Sequence, residues 1–428
     1  MLSDQRLDAV DIKTVLQRTP PAYVRVSGRV ASVQNPKEPR RSVDSGGSIG
    51  SSDSVVILRD LTGELPAQCL AAPPLGSWVI VEGQWNGAEV TQGRCMVQSV
   101  PRLPFPAAES DWRWLHDEVS RRGRYLMQRA QVMKTVRAFF DRHSFIEVET
   151  PLLVPSPGLD VHLSAFEVED ASPSRFLITS PEYQMKRLVG GGLPRIYQTC
   201  KCFRQEELGP LHEPEFSMLE WYRALATSGD LMRDTEELVT EVARAILGGT
   251  TQIPALGRPV DVKPPWARIR VDDAFRRYAG VEVDDILPDE EHFFRVLVEK
   301  VQPQLGSPKP VFLTHWPASM ASLARLESED PSRADRFEAY IDGVELCNGF
   351  GELVDPIEQR QRLEADQARR ASLGLPVYPI DERFMSALQE GLPPCSGNAL
   401  GLDRLVMLTL GAPRVQDVIA IPTDRAVL

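Results

Sequence analysis

The stretch that decides the fold is FRQEELGPLHEPEFSMLEWYR, residues 203–223. Both of its ends alternate as β-strands do, and the turn formers at 209–214 predict a long hairpin tip between them. Arg204 and Glu206 are two residues apart, so an extended first strand places them on the same face. The second strand then presents a face with apolar, acidic and phenolic side chains: Phe216, Met218, Glu220 and Tyr222.

The chemistry of this hairpin face suits a nucleotide. A guanidinium such as that of Arg204 binds phosphate, and an aromatic ring such as that of Phe216 stacks on a base. The alternative is a solvated strand whose charges pair with one another, because charged strands usually lie at the surface. The residue pattern by itself leaves both interpretations open.

Composition limits the class of protein. A chain of 428 residues predicts two or three domains. The net charge of −12 argues against broad, non-specific nucleic-acid binding, although a local basic patch is compatible with it. No apolar run approaches the length of about 20 residues that a membrane helix needs. The six cysteines form no CxxC pair and complete no zinc pattern, so we expect a cytoplasmic protein without membrane contact.

Residues 1–105 and 106–428 are predicted to be separate domains. In the first, a short amphipathic helix precedes five short strands with turn signals between them, a pattern typical of a small closed barrel of the OB-fold kind. The Gly/Ser-rich segment at 40–54 is predicted to be a flexible loop. This domain carries a charge of +1 and the remainder −13, so RNA binding and a structural or protein-binding role both stay open.

The hairpin resembles motif 2 of the class II aminoacyl-tRNA synthetases, and specifically their lysine branch. A helical pattern at 110–143, followed by a strand ending at Pro151, resembles motif 1, which forms the dimer in that family. CSGNALGLDRLVMLTLG at 395–411 resembles motif 3. The three motifs occur in order over roughly residues 120–428. The resemblance implies an α+β fold, with an antiparallel sheet flanked by helices, and a homodimer.

Further segments resemble the protein-modifying members of the lysine branch, the elongation factor P lysine ligases. They are TSPEYQMKRL at 179–188, PASMASLARL at 317–326 and VELCNGFGEL at 344–353. Ala399 stands where lysyl-tRNA synthetases usually have glycine. The resemblance implies activation of lysine or (R)-β-lysine by ATP with Mg²⁺, followed by transfer to a lysine of elongation factor P.

The same resemblance assigns roles to individual residues. Catalysis falls to Arg204, Glu206 and Arg404, and a Mg²⁺ site to Glu338 and Glu345. The expected ATP-binding residues are Arg204, Gln205, Glu206, His212, Glu213, Phe216, Glu345, Leu346, Gly401 and Arg404. The expected amino-acid pocket comprises Ser180, Pro181, Glu182, Glu220, Tyr222, Asn348, Phe350, Glu352 and Ala399.

Three features depart from the family pattern. The protein-modifying members normally lack an N-terminal barrel. Gln205 and Glu213 replace asparagines, and Pro210-Leu211 stands where an arginine usually helps to bind the γ-phosphate. A carboxylate at 213 would repel a triphosphate unless it points away or meets a cation. Two alternatives therefore stay open: a lysyl-tRNA synthetase that uses the barrel to bind the anticodon of tRNA(Lys), and a non-catalytic paralogue that acts as a binding protein.

Overall fold

The structure is a computed structural model that describes residues 8–34, 54–107, 110–117, 121–169, 173–205 and 207–426. Residues 40–53 of the Gly/Ser-rich segment, and Glu206, lie outside the described residues. The chain divides into two compact units, Met1–Arg124 and Tyr125–Leu428. No helix in the described ranges is both long enough and apolar enough to cross a membrane.

The first unit is built on five strands that form a closed barrel in the order β1-β2-β3-β5-β4. Its elements are α1 (Ile12–Leu16), β1 (Ala22–Gln34), β2 (Ser54–Asp60), β3 (Gly63–Cys69), β4 (Trp78–Trp85), β5 (Val90–Ser99) and α2 (Asp111–His116). Val24, Val26 and Val30 alternate along β1 and are fully buried. This spacing of two residues directs one side of each strand into the barrel core.

The second unit is organised around one large sheet. The elements from α3 onward are α3 (Arg122–Arg142), β6 (Ile146–Glu147), β7 (Leu153–Val154), β8 (Glu167–Val168), β9 (Arg175–Leu177), α4 (Glu182–Gly190), β10 (Arg195–Phe203), β11 (Glu215–Ala224), α5 (Ser228–Ile246), β12 (Gln252–Ile253), β13 (Val260–Asp261), β14 (Ala267–Arg270), α6 (Val271–Ala279), α7 (Val283–Ile286), α8 (Glu290–Val296), β15 (Val311–Pro317), β16 (Arg333–Ile341), β17 (Val344–Gly351), α9 (Pro356–Ser372), α10 (Glu382–Gly391), β18 (Cys395–Gly401), α11 (Leu402–Leu410) and α12 (Thr423–Ala426). Eight of the strands pair in the order β14-β15-β16-β17-β18-β11-β10-β6. All neighbours are antiparallel except the two outermost pairs, β14/β15 and β10/β6.

The predicted hairpin is confirmed as the antiparallel pair β10/β11, with Phe203 opposite Glu215. One detail of the prediction was wrong, because β10 ends at Phe203 and Arg204 follows the strand. The Arg204 N–H still donates to the carbonyl of Pro214, at 2.9 Å, but the ladder goes no further because Pro214 has no N–H with which to return the bond. The next N–H, of Gln205, donates to the carbonyl of Ser164 at 2.8 Å. Arg204 is thereby held at the exit of the strand.

Apolar packing holds this sheet against α3. Phe140 of the helix stacks on Tyr197 of β10 with ring centroids 4.4 Å apart. Both rings are fully buried, together with Val136 and with Trp221 on β11. Burial of side chains this large contributes roughly 1.5–3 kcal/mol each. The opposite face of the central strands is therefore left to form a binding site.

Candidate active site

One cavity of about 270 Å³ lies on the sheet, between β10, β11, β17, β18 and α4. Most of the residues predicted from motifs line it. They are Ser180, Glu182, Arg204, His212, Glu213, Phe216, Glu220, Glu345, Leu346, Asn348, Phe350, Ala399, Gly401 and Arg404. Side chains from distant parts of the sequence thus converge on one space.

Five predicted residues do not line the cavity: Pro181, Gln205, Tyr222, Glu338 and Glu352. Tyr222 and Glu352 stand behind the wall and contact side chains that do line it or support it. Gln205 uses its backbone N–H to fix the start of the hairpin tip. Glu206 falls outside the described residues, so its predicted catalytic and ATP-binding role stays a prediction.

Glu220 is the acidic centre of one end of the cavity, which we call the amine end. It is 1% exposed and accepts hydrogen bonds from Ser180 Oγ at 2.6 Å and Tyr222 OH at 3.1 Å. Burial, and next the charge of Glu182, raise the pKa of Glu220 to about 8. Both hydrogen-bond donors are neutral hydroxyls. A cation brought to this carboxylate would therefore be bound strongly.

Lys186, which the sequence interpretation missed, forms a buried triad beside Glu220. Its side chain is fully buried, and its Nζ lies 2.6 Å from Glu182 Oε1 and 2.5 Å from Glu352 Oε2. Burial alone would lower the pKa of Lys186, but the two carboxylates outweigh burial and raise it. A sequence signal existed: Lys186 is four residues after Glu182 on α4, on a helix whose Tyr183, Met185 and Val189 are buried.

Strand β18 contributes a further part of the wall of the amine end. Ala399 lies opposite Glu220 on one neighbouring strand and opposite Asn348 on the other. Gly397 lies two residues before Ala399 on the same strand. A Cβ on Gly397 would lie 2.2 Å from the Tyr222 ring and 2.6 Å from Glu352 Oε1. Only glycine therefore allows the phenol and the carboxylate to approach this strand.

Arg204 and Phe216 form the opposite end of the cavity, which we call the phosphate end. The guanidinium carbon lies 5.0 Å from the centre of the Phe216 ring. Arg204 Nε is buried, and no hydrogen-bond partner for it occurs among the described residues. Its Nη1 lies 3.5 Å from Glu207. A guanidinium with an unsatisfied donor at a cavity wall fits an anionic ligand such as phosphate.

Arg404 and His212 occupy the same end. Arg404 donates to the carbonyls of Leu211, at 3.3 Å, and Glu345, at 2.9 Å. Its Nη2 lies 2.7 Å from His212 Nε2. Burial and the Arg404 charge lower the pKa of His212, so the imidazole is neutral and accepts from the guanidinium. Arg404 thus joins the hairpin tip to β17.

Glu213 does not face the phosphate end as a free charge. It is 3% exposed, and its Oε2 accepts from the Thr423 backbone N–H at 3.0 Å and from Thr423 Oγ1 at 2.6 Å. Its Oε1 accepts from Gln416 Nε2 at 2.8 Å. The carboxylate is therefore directed to the C-terminal segment, which is the case in which the sequence predicted no repulsion of a triphosphate.

Glu338 and Glu345, the predicted Mg²⁺ ligands, lie on the neighbouring strands β16 and β17. Glu338 is buried and accepts from Arg336 at 2.7 Å and Tyr340 at 2.6 Å. Burial, followed by the charge of Glu345, raises the pKa of Glu338. In the described part of the chain, no cluster of three or more His, Cys, Asp or Glu side chains is arranged for a metal. The two mutually repelling carboxylates fit a cation whose remaining ligands are phosphates and water.

A second group that sequence reasoning missed anchors motif 3 to motif 1. Asp403 is 4% exposed, and Arg129 of α3 lies 2.5 Å from its Oδ1. Its Oδ2 accepts from the backbone N–H of Ser217 on β11 at 2.8 Å. The two neighbouring residues of motif 3 thus have different roles. Asp403 fixes the helix to the sheet, and the Arg404 side chain reaches the cavity.

Comparison with known proteins agrees with this geometry. Residues 107–425 match the family described as tRNA synthetases class II (D, K and N). The chain is 43% identical over 310 residues to the elongation factor P--(R)-beta-lysine ligase of Hamiltonella defensa, and 43% identical over 314 residues to that of Proteus mirabilis. The corresponding protein of Salmonella arizonae is 42% identical. Each alignment covers 70% of this chain and 95% of the relative. The chain therefore belongs to the class II tRNA synthetases of the D, K and N group.

Proposed function

We propose that this protein activates lysine or (R)-β-lysine with ATP and transfers the aminoacyl group to a lysine of elongation factor P. The observation that carries the proposal is the amine end, where the carboxylates of Glu182 and Glu220 line the cavity and Glu220 is buried with only neutral hydroxyls as its partners. A substrate with two ammonium groups supplies the missing cations. The names of the relatives support the same substrate and acceptor.

The first step is adenylate formation. An oxygen of the substrate carboxylate attacks the α-phosphorus of ATP, an O–P bond forms, and pyrophosphate leaves with the bridging oxygen. Arg204 neutralises charge at the α-phosphate, Phe216 and Arg404 hold the adenine, and the amine end fixes the amino acid. Glu338 and Glu345 would hold Mg²⁺, which would neutralise phosphate charge. No side chain acts as a nucleophile.

The second step is acyl transfer. The neutral amine of the acceptor lysine attacks the carbonyl carbon of the adenylate, and a C–N bond forms. The bond between that carbon and the phosphate oxygen breaks, AMP leaves, and the proton of the amine passes to water. This reaction needs an acceptor side chain that reaches the cavity. We place this reaction in the cytoplasm, and we expect the enzyme to be a homodimer, as the family resemblance implies.

We infer that the N-terminal barrel is an OB-fold, from its five-stranded closure and strand order. OB-folds bind oligonucleotides on the face of strands 2 and 3, where aromatic rings stack on bases. Here the outward positions of β2 and β3 are aliphatic or polar: Val55, Ile57, Arg59, Glu64, Pro66 and Gln68. A face without an aromatic ring favours transfer to protein over the alternative of charging tRNA(Lys).

An acceptor competition tests the proposal. The protein, ATP, Mg²⁺ and labelled lysine or (R)-β-lysine are offered elongation factor P and, separately, total tRNA. Label on elongation factor P is the expected result, whereas label on tRNA alone would establish the synthetase alternative. ATP–pyrophosphate exchange excludes the non-catalytic alternative, and Arg204→Ala is expected to abolish it while the fold stays intact.

A further inference from the structure

Lys186 lies behind the wall of the amine end and has no access to solvent. Its ammonium is 2.6 Å from Glu182 on the same helix and 2.5 Å from Glu352, which follows β17. The third carboxylate, Glu220, accepts hydrogen bonds from two neutral hydroxyls. The amine end is therefore built on three carboxylates and one cation, of which Glu182 and Glu220 line the cavity, whereas Glu352 and Lys186 lie behind its wall.

The charge of this end follows from its composition. With all four groups ionised, Glu182, Glu220, Glu352 and Lys186 carry two net negative charges. Unpaired charge in a desolvated site is costly, and removing one partner of a buried pair leaves the other charge uncompensated. A ligand with two ammonium groups balances the site. A ligand with one leaves a buried carboxylate without a counter-ion.

We propose that Lys186 is a positioning and specificity-determining residue that holds Glu182 and Glu352 in place and leaves the amine end with two net negative charges when all three carboxyl groups are ionised, as they are around a bound diamino ligand. The site then selects amino acids that carry two ammonium groups. This inference rests on the proposed function and extends it to a charge-matching rule. Lys186 acts through the two glutamates and does not touch the reacting atoms.

The titratable and charged groups around the triad come from several elements. They are Glu182 and Tyr183 on α4, Glu220 and Tyr222 on β11, Glu352 after β17, Cys395 on β18, and Arg325. Burial raises the pKa of Glu352, against the lowering effect of the Lys186 charge. Removal of that charge would raise the pKa of Glu352 further and add a proton to the empty site.

The first test is Lys186→Met, which keeps the length of the side chain and removes the charge, with exposed Lys300→Met as the matched control. ATP–pyrophosphate exchange gives kcat and KM for lysine, (R)-β-lysine and the single-ammonium analogue 6-hydroxynorleucine between pH 6.5 and 8.5. We expect the KM for the two diamino substrates to rise at least about tenfold at pH 7, as loss of one charged contact implies. That KM should fall more steeply with pH than in the wild type, while kcat changes little. An unchanged preference for diamino substrates, or a pH-independent loss of kcat and KM together, would overturn the proposal.

The second test needs no substrate. A carboxyl group whose pKa is higher in the folded than in the unfolded protein loses its contribution to stability as pH rises through the folded value. The difference in Tm between wild type and Lys186→Met should therefore be about 5 °C larger at pH 8.5 than at pH 5.5. Lys300→Met should show no such trend. An equal loss at both pH values would refute the charge balance, even if the wild type proves inactive in exchange and the proposed function fails.

Discussion

Glu220 links burial to substrate binding at the scale of a single residue. Its pKa of about 8 means that the carboxyl is mostly protonated at pH 6.5 in the empty site. An ammonium ion binds the ionised form, so binding must release the proton. The apparent KM for a diamino substrate should therefore fall about tenfold per pH unit below pH 8 and level off above it. Calorimetry at pH 7, in buffers of different ionisation enthalpy, measures the released proton directly.

The matched variant for this prediction is Glu220→Gln, which keeps the shape of the side chain and cannot ionise. It should bind the substrate weakly and lose most of the pH dependence. A wild-type KM that stays constant from pH 6.5 to 8 would show that Glu220 does not take the ammonium.

Gly397 makes a second prediction at the residue scale. Its Cβ, if present, would overlap the Tyr222 ring and the Glu352 carboxylate, so Gly397→Ala must displace one of them. We expect the KM for the amino acid to rise at least about tenfold, with the KM for ATP nearly unchanged, because the displaced groups serve only the amine end. Gly229→Ala on α5 is the control, since its Cβ would meet only Thr227 Oγ1, at 3.5 Å. A Gly397→Ala enzyme with wild-type KM values would contradict the assigned role of this strand.

Sequence reasoning found residues that belong to specified motifs, and missed those whose importance depends on folding. Arg204, Glu220 and Arg404 are motif positions, and they do line one cavity. Lys186 was missed because a lysine on a helix is usually a surface residue, and its burial depends on Glu352, which is 166 positions away in the sequence. The sequence predicted that Glu213 would repel phosphate unless its carboxylate pointed away, and it could not show that Thr423 is a donor that directs the carboxylate away.

At the scale of elements, the hairpin tip and the C-terminal segment behave as one unit. Glu213 accepts from Thr423 and Gln416, Gln416 also donates to the His212 carbonyl, and the Val415 N–H donates to the Pro210 carbonyl. These bonds fix the tip that carries His212 beside Arg404. The segment after motif 3 is therefore part of the nucleotide site, although the sequence gives it no motif.

Glu213→Ala should loosen this connection. Loss of a buried acceptor leaves its donors unsatisfied, at a cost of about 1–3 kcal/mol. We expect the KM for ATP to rise about 5- to 100-fold while the KM for the amino acid stays within about threefold. Thr423→Val, which keeps the backbone N–H, should show a smaller increase in the same constant, and Thr423→Ser almost none. Equal effects on both KM values would mean that the connection supports general stability and not the position of the tip.

The whole molecule combines a unit that matches complete enzymes with a barrel that those relatives do not share. The relatives are aligned over 95% of their own length, yet they cover only 70% of this chain. The sequence predicted a barrel because alternating strands and turns are local signals. The function of the barrel cannot be predicted from such local signals, because it depends on which partner the outer surface of the barrel binds.

Residues 107–428 without the barrel should therefore activate the amino acid unaided. Every contact described at the amine and phosphate ends lies within this part of the chain, and the family match begins at residue 107. We expect ATP–pyrophosphate exchange with kcat/KM within about threefold of the full chain, that is, less than about 1 kcal/mol of lost transition-state stabilisation. Transfer to elongation factor P is the informative comparison. If exchange is retained and transfer is lost, the barrel recruits the acceptor protein. If the shortened chain is folded but inactive in exchange, adenylate formation depends on the barrel, and the catalytic unit is not self-sufficient.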